Sequence, residues 1–145
     1  TFISSTMWTD RLGFIAANET LKKLKKYKVY KVISSYGNMI KNGWIKISKK
    51  HKIDISISGL DTILYLKFNY PNNPEIVTFF TQEMLKKGYL AGSQVATSYA
   101  YNRVIINKYL KEVDHVFRKI KIFLDKGKFP LKGEVKHSTF KRLTG

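Results

Sequence analysis

Three hydroxyl side chains in a row, Ser4, Ser5 and Thr6, stand just ahead of a segment with helical apolar spacing that begins at Leu12. Hydroxyls beside a helix start suit the binding of an anion such as a phosphate. The first amides of a helix lack intrahelical partners, and the helix dipole favours negative charge there. The same residues also serve as a plain helix cap, which on residue types alone is the commoner use. The other reactive side chains are scattered. His51, His115 and His137 lie far apart, and none forms a metal-ligand pair with a second His or a carboxylate. His115, beside Asp114 in a charged stretch, reads as a surface residue. Asp10, Glu83, Glu112 and Asp114 form no evident acid–base pair. The chain has no Cys, which excludes disulfides and thiolate metal sites. It carries no GxSxG, Walker or GxGxxG motif.

Bulk properties narrow the reading. The 145 residues fit one domain with a real hydrophobic core. The formal net charge of +17 would attract phosphates, nucleic acid or anionic membrane without specificity. The basic residues are spread through Lys22–Lys31, Lys41–Lys52, Lys108–Lys128 and Lys132–Arg142. A nucleic-acid module more often clusters them beside exposed aromatics, so lysines solvating outer helix faces are the simpler account. No apolar run approaches the roughly 20 residues that span a bilayer, and no membrane partner is expected. The start lacks the basic-then-apolar layout of a signal peptide. The absence of Cys fits a reducing compartment, and the expected location is the cytoplasm.

The elements that must position the hydroxyl cluster follow from apolar periodicity. Thr9 and Asp10 are N-cap candidates for a first helix to about Lys26, with Leu12, Ile15/Ala16 and Leu21/Leu24 as its buried stripe. Val29, Val32/Ile33, Tyr36, Ile40, Trp44 and Ile47 give a second helix, which Gly37 and Gly43 weaken. Ile53, Ile55 and Ile57 alternate with polar residues and predict a half-buried strand. Gly59-Leu60-Asp61 turns the chain into a second, antiparallel and mostly buried strand, Thr62–Phe68. A loop over Tyr70–Pro74 leads to a helix from Pro74 or Glu75 to Lys87, stopped by Gly88. Tyr89-Leu90-Ala91 reads as a third strand, and Gly92–Tyr101 as an exposed loop or ligand rim. The last helix starts near Asn102. Its stripe is Ile106, Leu110, Val113, Phe117, Ile120 and Leu124, and Lys126-Gly127 ends it. The tail from Phe129 to Gly145 is polar and basic with a few apolar anchors.

The segment TFISSTMWTDRLGFIAANETLKKL resembles the start of the C-terminal region of class III, fold-type I aminotransferases, in particular their glutamate-1-semialdehyde aminomutase-like branch. The resemblance continues at Ile55–Leu60 (ISISGL), at Phe80–Ala91 (FTQEMLKKGYLA), at Ser98-Tyr99-Ala100, through the last helix, and from Lys136 to Leu143. It covers nearly the whole chain, and the order and spacing of the segments are its specific part. It implies a homodimer that binds pyridoxal 5'-phosphate (PLP), whose ring acts as an electron sink. It gives Thr6, with Ser5 beside it, the role of hydrogen-bonding the cofactor phosphate of the neighbouring subunit. It places the Schiff-base lysine and the rest of the large domain upstream of Thr1, so no residue of this chain is expected to be catalytic. Residues 1–11 would then be a cofactor-phosphate loop, residues 128–145 a basic tail, and residues 1–145 one small C-terminal domain. The segment Gly92–Ser98 lacks the glutamate that the aminomutases proper carry near the substrate gate. That departure leaves an amino sugar or an amino acid derivative as open as glutamate-1-semialdehyde. Gln94 and Ser98 are assigned to the substrate side by loop position.

The expected fold is α+β, a small three-stranded and mainly antiparallel sheet with helices largely on one face, preceded by a long helix. The expected partners are the large domain, a second subunit and a small amino or keto substrate, with no metal and no specific nucleic acid. Part of the surface should be apolar and prone to association. The alternatives are a stand-alone basic nucleic-acid-binding module and a noncatalytic scaffold.

Overall fold

The computed structural model describes residues 10–136. Seven elements follow in chain order: α1 (Arg11–Lys26), α2 (Val29–His51), β1 (Ile55–Leu60), β2 (Ile63–Phe68), α3 (Asn73–Leu85), β3 (Gln94–Ala96) and α4 (Arg103–Lys126). The strands form one antiparallel sheet in the order β1-β2-β3. The architecture is the α+β arrangement that the periodicity implies.

The hairpin is held in register from Ile55 opposite Phe68 to Leu60 opposite Ile63. Along β2, Leu64, Leu66 and Phe68 are buried, while Ile63, Tyr65 and Lys67 face outward. The strand is therefore half-buried and not mostly buried, because helices cover only one face of the sheet. Phe68 carries that face into the helical layer. Its ring lies 5.5 Å from Phe117 of α4 and 6.2 Å from Phe80 of α3, centroid to centroid. Trp44, Phe79, Phe80 and Phe117 complete the fully buried aromatic core. Aromatic rings of this size dominate the apolar area removed from water.

Gly37 shows why a glycine interrupts α2. A Cβ there would stand 1.4 Å from the Asp61 carbonyl oxygen, so the bare backbone lets the hairpin turn sit on the helix. Beside it, Asn38 donates to the Asp61 carboxylate at 2.9 Å. The apolar stripe of α2 buries Val29, Ile40, Trp44 and Ile47 as its spacing implies. That of α4 buries Ile106, Val113, Phe117 and Ile120, adds Tyr109 and Val116, and leaves Leu110 and Leu124 partly covered. Asn102 caps α4 by accepting from the Ile105 amide at 2.9 Å, and Gly127, at φ +72°, ends it.

Further expectations are overturned. Helix α1 forms, capped by Asp10, which accepts from the Leu12 amide at 3.0 Å, but it buries no residue. Leu12, Ile15 and Leu21 are 69%, 60% and 64% exposed. Their spacing describes an amphipathic helix, and the described residues supply nothing to cover its apolar side. The third strand is Gln94–Ala96, not Tyr89–Ala91. Gly88, at φ +82°, turns the chain out of α3, the Tyr89 amide bonds back to Met84, and the Ala91 amide bonds to Tyr89. These bonds coil Tyr89–Ala91 into a tight corner with Leu90 almost fully exposed. Pairing then begins where Ser93 accepts from the Leu66 amide and runs through Ile63 opposite Ala96. The stretch expected as a loop rim thus contains an edge strand. Helix α3 also stops at Leu85, two residues short of the expected end, with Pro74 in its first turn.

Candidate functional site

Strand β3, the Gly88–Ala91 corner and the start of α4 enclose a cleft of 480 Å³. Its walls include Ile40, Tyr89, Gln94, Tyr101, Ile106 and Tyr109, and among the described residues no Lys, Arg, His, Asp or Glu lines it. The aromatic walls brace one another. The Tyr89 ring meets the Tyr109 ring edge-on with centroids 5.7 Å apart. The Tyr101 hydroxyl donates to the Ala96 carbonyl at 3.4 Å. The Tyr109 hydroxyl is buried and accepts from Trp44 Nε1 at 3.2 Å. Burial pushes its pKa above the ordinary tyrosine value, and the Trp44 N–H only partly opposes that, so the phenol stays neutral.

The assigned residues fare differently. Gln94 lines the cleft as an exposed residue of β3. Ser98 does not line it. Its hydroxyl accepts from the Ala100 amide at 3.2 Å and its carbonyl from the Tyr101 amide, so it closes a turn that leads into α4. Ser5 and Thr6, like Ser4 and His137, lie outside the described residues. Tyr89, Tyr101 and Tyr109 were missed as cleft residues. Tyr109 lies between Ile106 and Val113 at helical spacing, and that position is the one signal that places it on the inner face.

The charged side chains group elsewhere. Glu83 of α3 is buried and receives Lys119 Nζ at 2.6 Å and Lys86 Nζ beside it. Burial alone would raise its pKa, but the hydrogen bonds from Lys119 and Lys86 dominate and hold it at about 2. The Asp114 carboxylate receives Lys50 Nζ and His51 Nε2, both at 2.7 Å, which pins the end of α2 to α4. Burial raises its pKa, and the bonds from Lys50 and His51 reverse that and lower it. His115 pairs with Glu112, not with its sequence neighbour Asp114, and remains 44% exposed. Neither cluster faces a nucleophile in a cleft, and both act as clamps between helices. Among the described residues no group of three His, Cys, Asp or Glu side chains could hold a metal.

The cleft does not suit PLP. That cofactor takes a lysine amine at its aldehyde and an acidic or cationic partner at its ring nitrogen, and the lining supplies neither. A smaller hollow of 230 Å³ at the start of α3 holds Lys67, Lys136, Asn73 and Ser93, but both lysines are exposed and Glu75 sits in the same helical turn. The described residues do not by themselves make a cofactor seat.

No protein-family model matches the chain, and no curated protein matches it. Among solved structures, the FumI protein of Sphingopyxis sp. MTA144, in its PLP internal aldimine form, is similar with a TM-score of 0.74 and 16% identity. The match covers 86% of this chain and 31% of that one. That likeness establishes the fold. The chain spans about a third of the length of the protein whose fold it shares. Among the described residues no helix is long and apolar enough to cross a membrane.

Proposed function

We propose that this chain is the small C-terminal part of a PLP-dependent aminotransferase or aminomutase. The observation that carries the reading is the fold likeness. Nearly all of this chain superposes on under a third of a protein solved with PLP. The uncovered apolar side of α1 supports it, because a helix with Leu12, Phe14, Ile15 and Leu21 exposed suits a place between two larger bodies. In that setting Thr6, with Ser5 beside it, donates to the phosphate of a cofactor held mainly by a second subunit. The PLP ring supplies the electron sink when bound. This chain's own residues contribute a phosphate contact, a wall of the substrate cleft with Gln94 on it, and a surface for the large domain and the dimer. The missing acidic residue in Gly92–Ser98 leaves an amino sugar or an amino acid derivative as open a substrate as glutamate-1-semialdehyde. The proposed location is the cytoplasm.

The test has two arms. The 145-residue chain mixed with PLP and an amino acid should give no stoichiometric visible absorbance band. The product of the reading frame extended upstream should bind PLP and show one. A clear band with turnover by the chain alone would sink the reading, as would a stop codon and a true start directly before Thr1.

A basic nucleic-acid-binding module is the second reading, favoured by exposed Tyr27 and Tyr30 among Lys22, Lys23, Lys25, Lys26, Lys28 and Lys31. It requires stoichiometric binding of single-stranded DNA or RNA that weakens steeply with salt.

A further inference from the structure

We propose that the cleft between β3 and α4 seats the apolar body of the amino substrate while its ammonium group stays at the open mouth. The inference rests on the aminotransferase reading and narrows it. Of the substrates left open, the cleft fits an amino acid derivative with an apolar far end. The volume of 480 Å³ lies within the roughly 300–1,000 Å³ usual for small-molecule sites. Its apolar groups are within reach of solvent. Leu90 and Ile105 on the wall are 96% and 42% exposed, and Tyr89, Val95 and Tyr101 are half-buried. A ligand body that covers them removes apolar surface from water.

The same lining sorts the two ends of the substrate. Among the described residues no Lys, Arg, His, Asp or Glu lines the cleft, so an ammonium or a carboxylate drawn inside would lose its hydration without a charged partner. The amino group therefore belongs at the mouth, and a second charge at the opposite end has no place. Glutamate-1-semialdehyde carries a carboxylate at that end. An amino sugar carries hydroxyls along its whole body, and Gln94 is the one polar side chain on the described wall besides the tyrosine hydroxyls. Of those, the Tyr101 hydroxyl is already bonded to the Ala96 carbonyl and that of Tyr109 to Trp44 Nε1. A hydroxyl-rich body would leave most of its groups unpaired.

The test adds matched amino compounds to the full chain and follows the backbone amide signals of Leu90, Val95 and Ile105 by NMR. The probes are 2-aminooctanoate, norleucine with two methylenes fewer, 2-aminosuberate with a second carboxylate at the far end, and glucosamine. 2-Aminooctanoate should shift the signals saturably, and norleucine should bind roughly five- to fifteenfold more weakly. Glucosamine and 2-aminosuberate should bind at least about tenfold more weakly, although the net charge of +17 favours the latter. Ile105→Gln, at an exposed helical position, should weaken 2-aminooctanoate about threefold or more. Phe14→Gln, at an exposed position of α1 that does not line the cleft, should leave it unchanged. No saturable shift, glucosamine or 2-aminosuberate binding as tightly as 2-aminooctanoate, or equal losses in both variants would each overturn the proposal. These results need no cofactor. In the product extended upstream, 2-aminooctanoate should alter the PLP absorbance band at roughly tenfold lower concentration than glucosamine. A band that glucosamine alters first overturns the proposal and leaves the aminotransferase reading. The absence of a band overturns the reading and the proposal with it, even where the cleft binds 2-aminooctanoate.

Discussion

Helices α1 and α4 carry the same kind of message in sequence and meet opposite fates. Both space apolar residues by threes and fours, and both are capped by an Asx side chain, Asp10 in one and Asn102 in the other. Yet α4 buries Ile106, Tyr109, Val113, Val116, Phe117 and Ile120, whereas α1 buries nothing. Periodicity states which side of a helix wants to leave water. It does not state whether the partner lies on the same polypeptide stretch. In α4 the partners are α2 and α3, reached through Trp44 and Phe80. In α1 the apolar side remains as an offer to something else.

The sharpest way to break this contrast is to truncate one aromatic on each helix. Phe117→Ala should cost about 3–5 kcal/mol in urea unfolding, because its ring is fully buried against Phe68 and Phe80. Phe14→Ala, at a position 66% exposed, should stay within about 0.5 kcal/mol. A comparable loss at Phe14 would mean that α1 is covered after all. Glycines give the next test. Gly37→Ala should destabilise by about 2–3 kcal/mol, since its Cβ would collide with the Asp61 carbonyl. Gly13→Ala meets nothing within 4 Å and should instead strengthen α1 by about 1 kcal/mol, read as added helical circular dichroism.

Acid should separate the two helices further, because α4 is tied to α3 by charge. The Glu83 pKa in the folded chain, about 2, lies below the ordinary 4.5. Its contribution to stability is therefore complete above the ordinary value and fades as pH falls from there toward 2. Glu83→Gln should cost about 1–3 kcal/mol at neutral pH, and the gap to wild type should close in that acid window. A gap that stays constant with pH would remove the ion cluster from the account. The smallest effect is expected at the cap of α1. Asp10→Ala should weaken that helix by about 1 kcal/mol while the global unfolding midpoint holds, because α1 is not part of the core.

Much of the fold was legible. The β1–β2 hairpin, the α2 stripe and the α4 stripe follow from spacing alone, since each buries one face against the others. The position of β3 was not legible, because Tyr89-Leu90-Ala91 has better strand residues than Gln94-Val95-Ala96. Backbone bonds from Tyr89 to Met84 and from Ala91 to Tyr89 outweigh that preference. Nor was the role of Gly37, which reads as a weak point in a helix until the hairpin turn is placed against it. The candidate cleft was not legible in the sequence. Gln94 lies on its wall in an edge strand and not in the expected loop, and Tyr89, Tyr101 and Tyr109 converge only when the corner, the edge strand and α4 are assembled.

The chain beyond α4 holds a last consequence. From Phe129 to Lys136 its backbone makes few bonds of its own kind. The Gln82 amide donates to the Pro130 carbonyl and accepts from the Lys132 N–H, and the Thr78 hydroxyl accepts from the Lys136 N–H. With Phe129 buried against Phe79 and Phe123, the segment lies along α3 as a strap fastened to side chains. A strap of this kind can peel away without disturbing any helix or sheet ladder. Its amides should exchange with solvent deuterium as one cooperative unit, well before those of α3 beneath it.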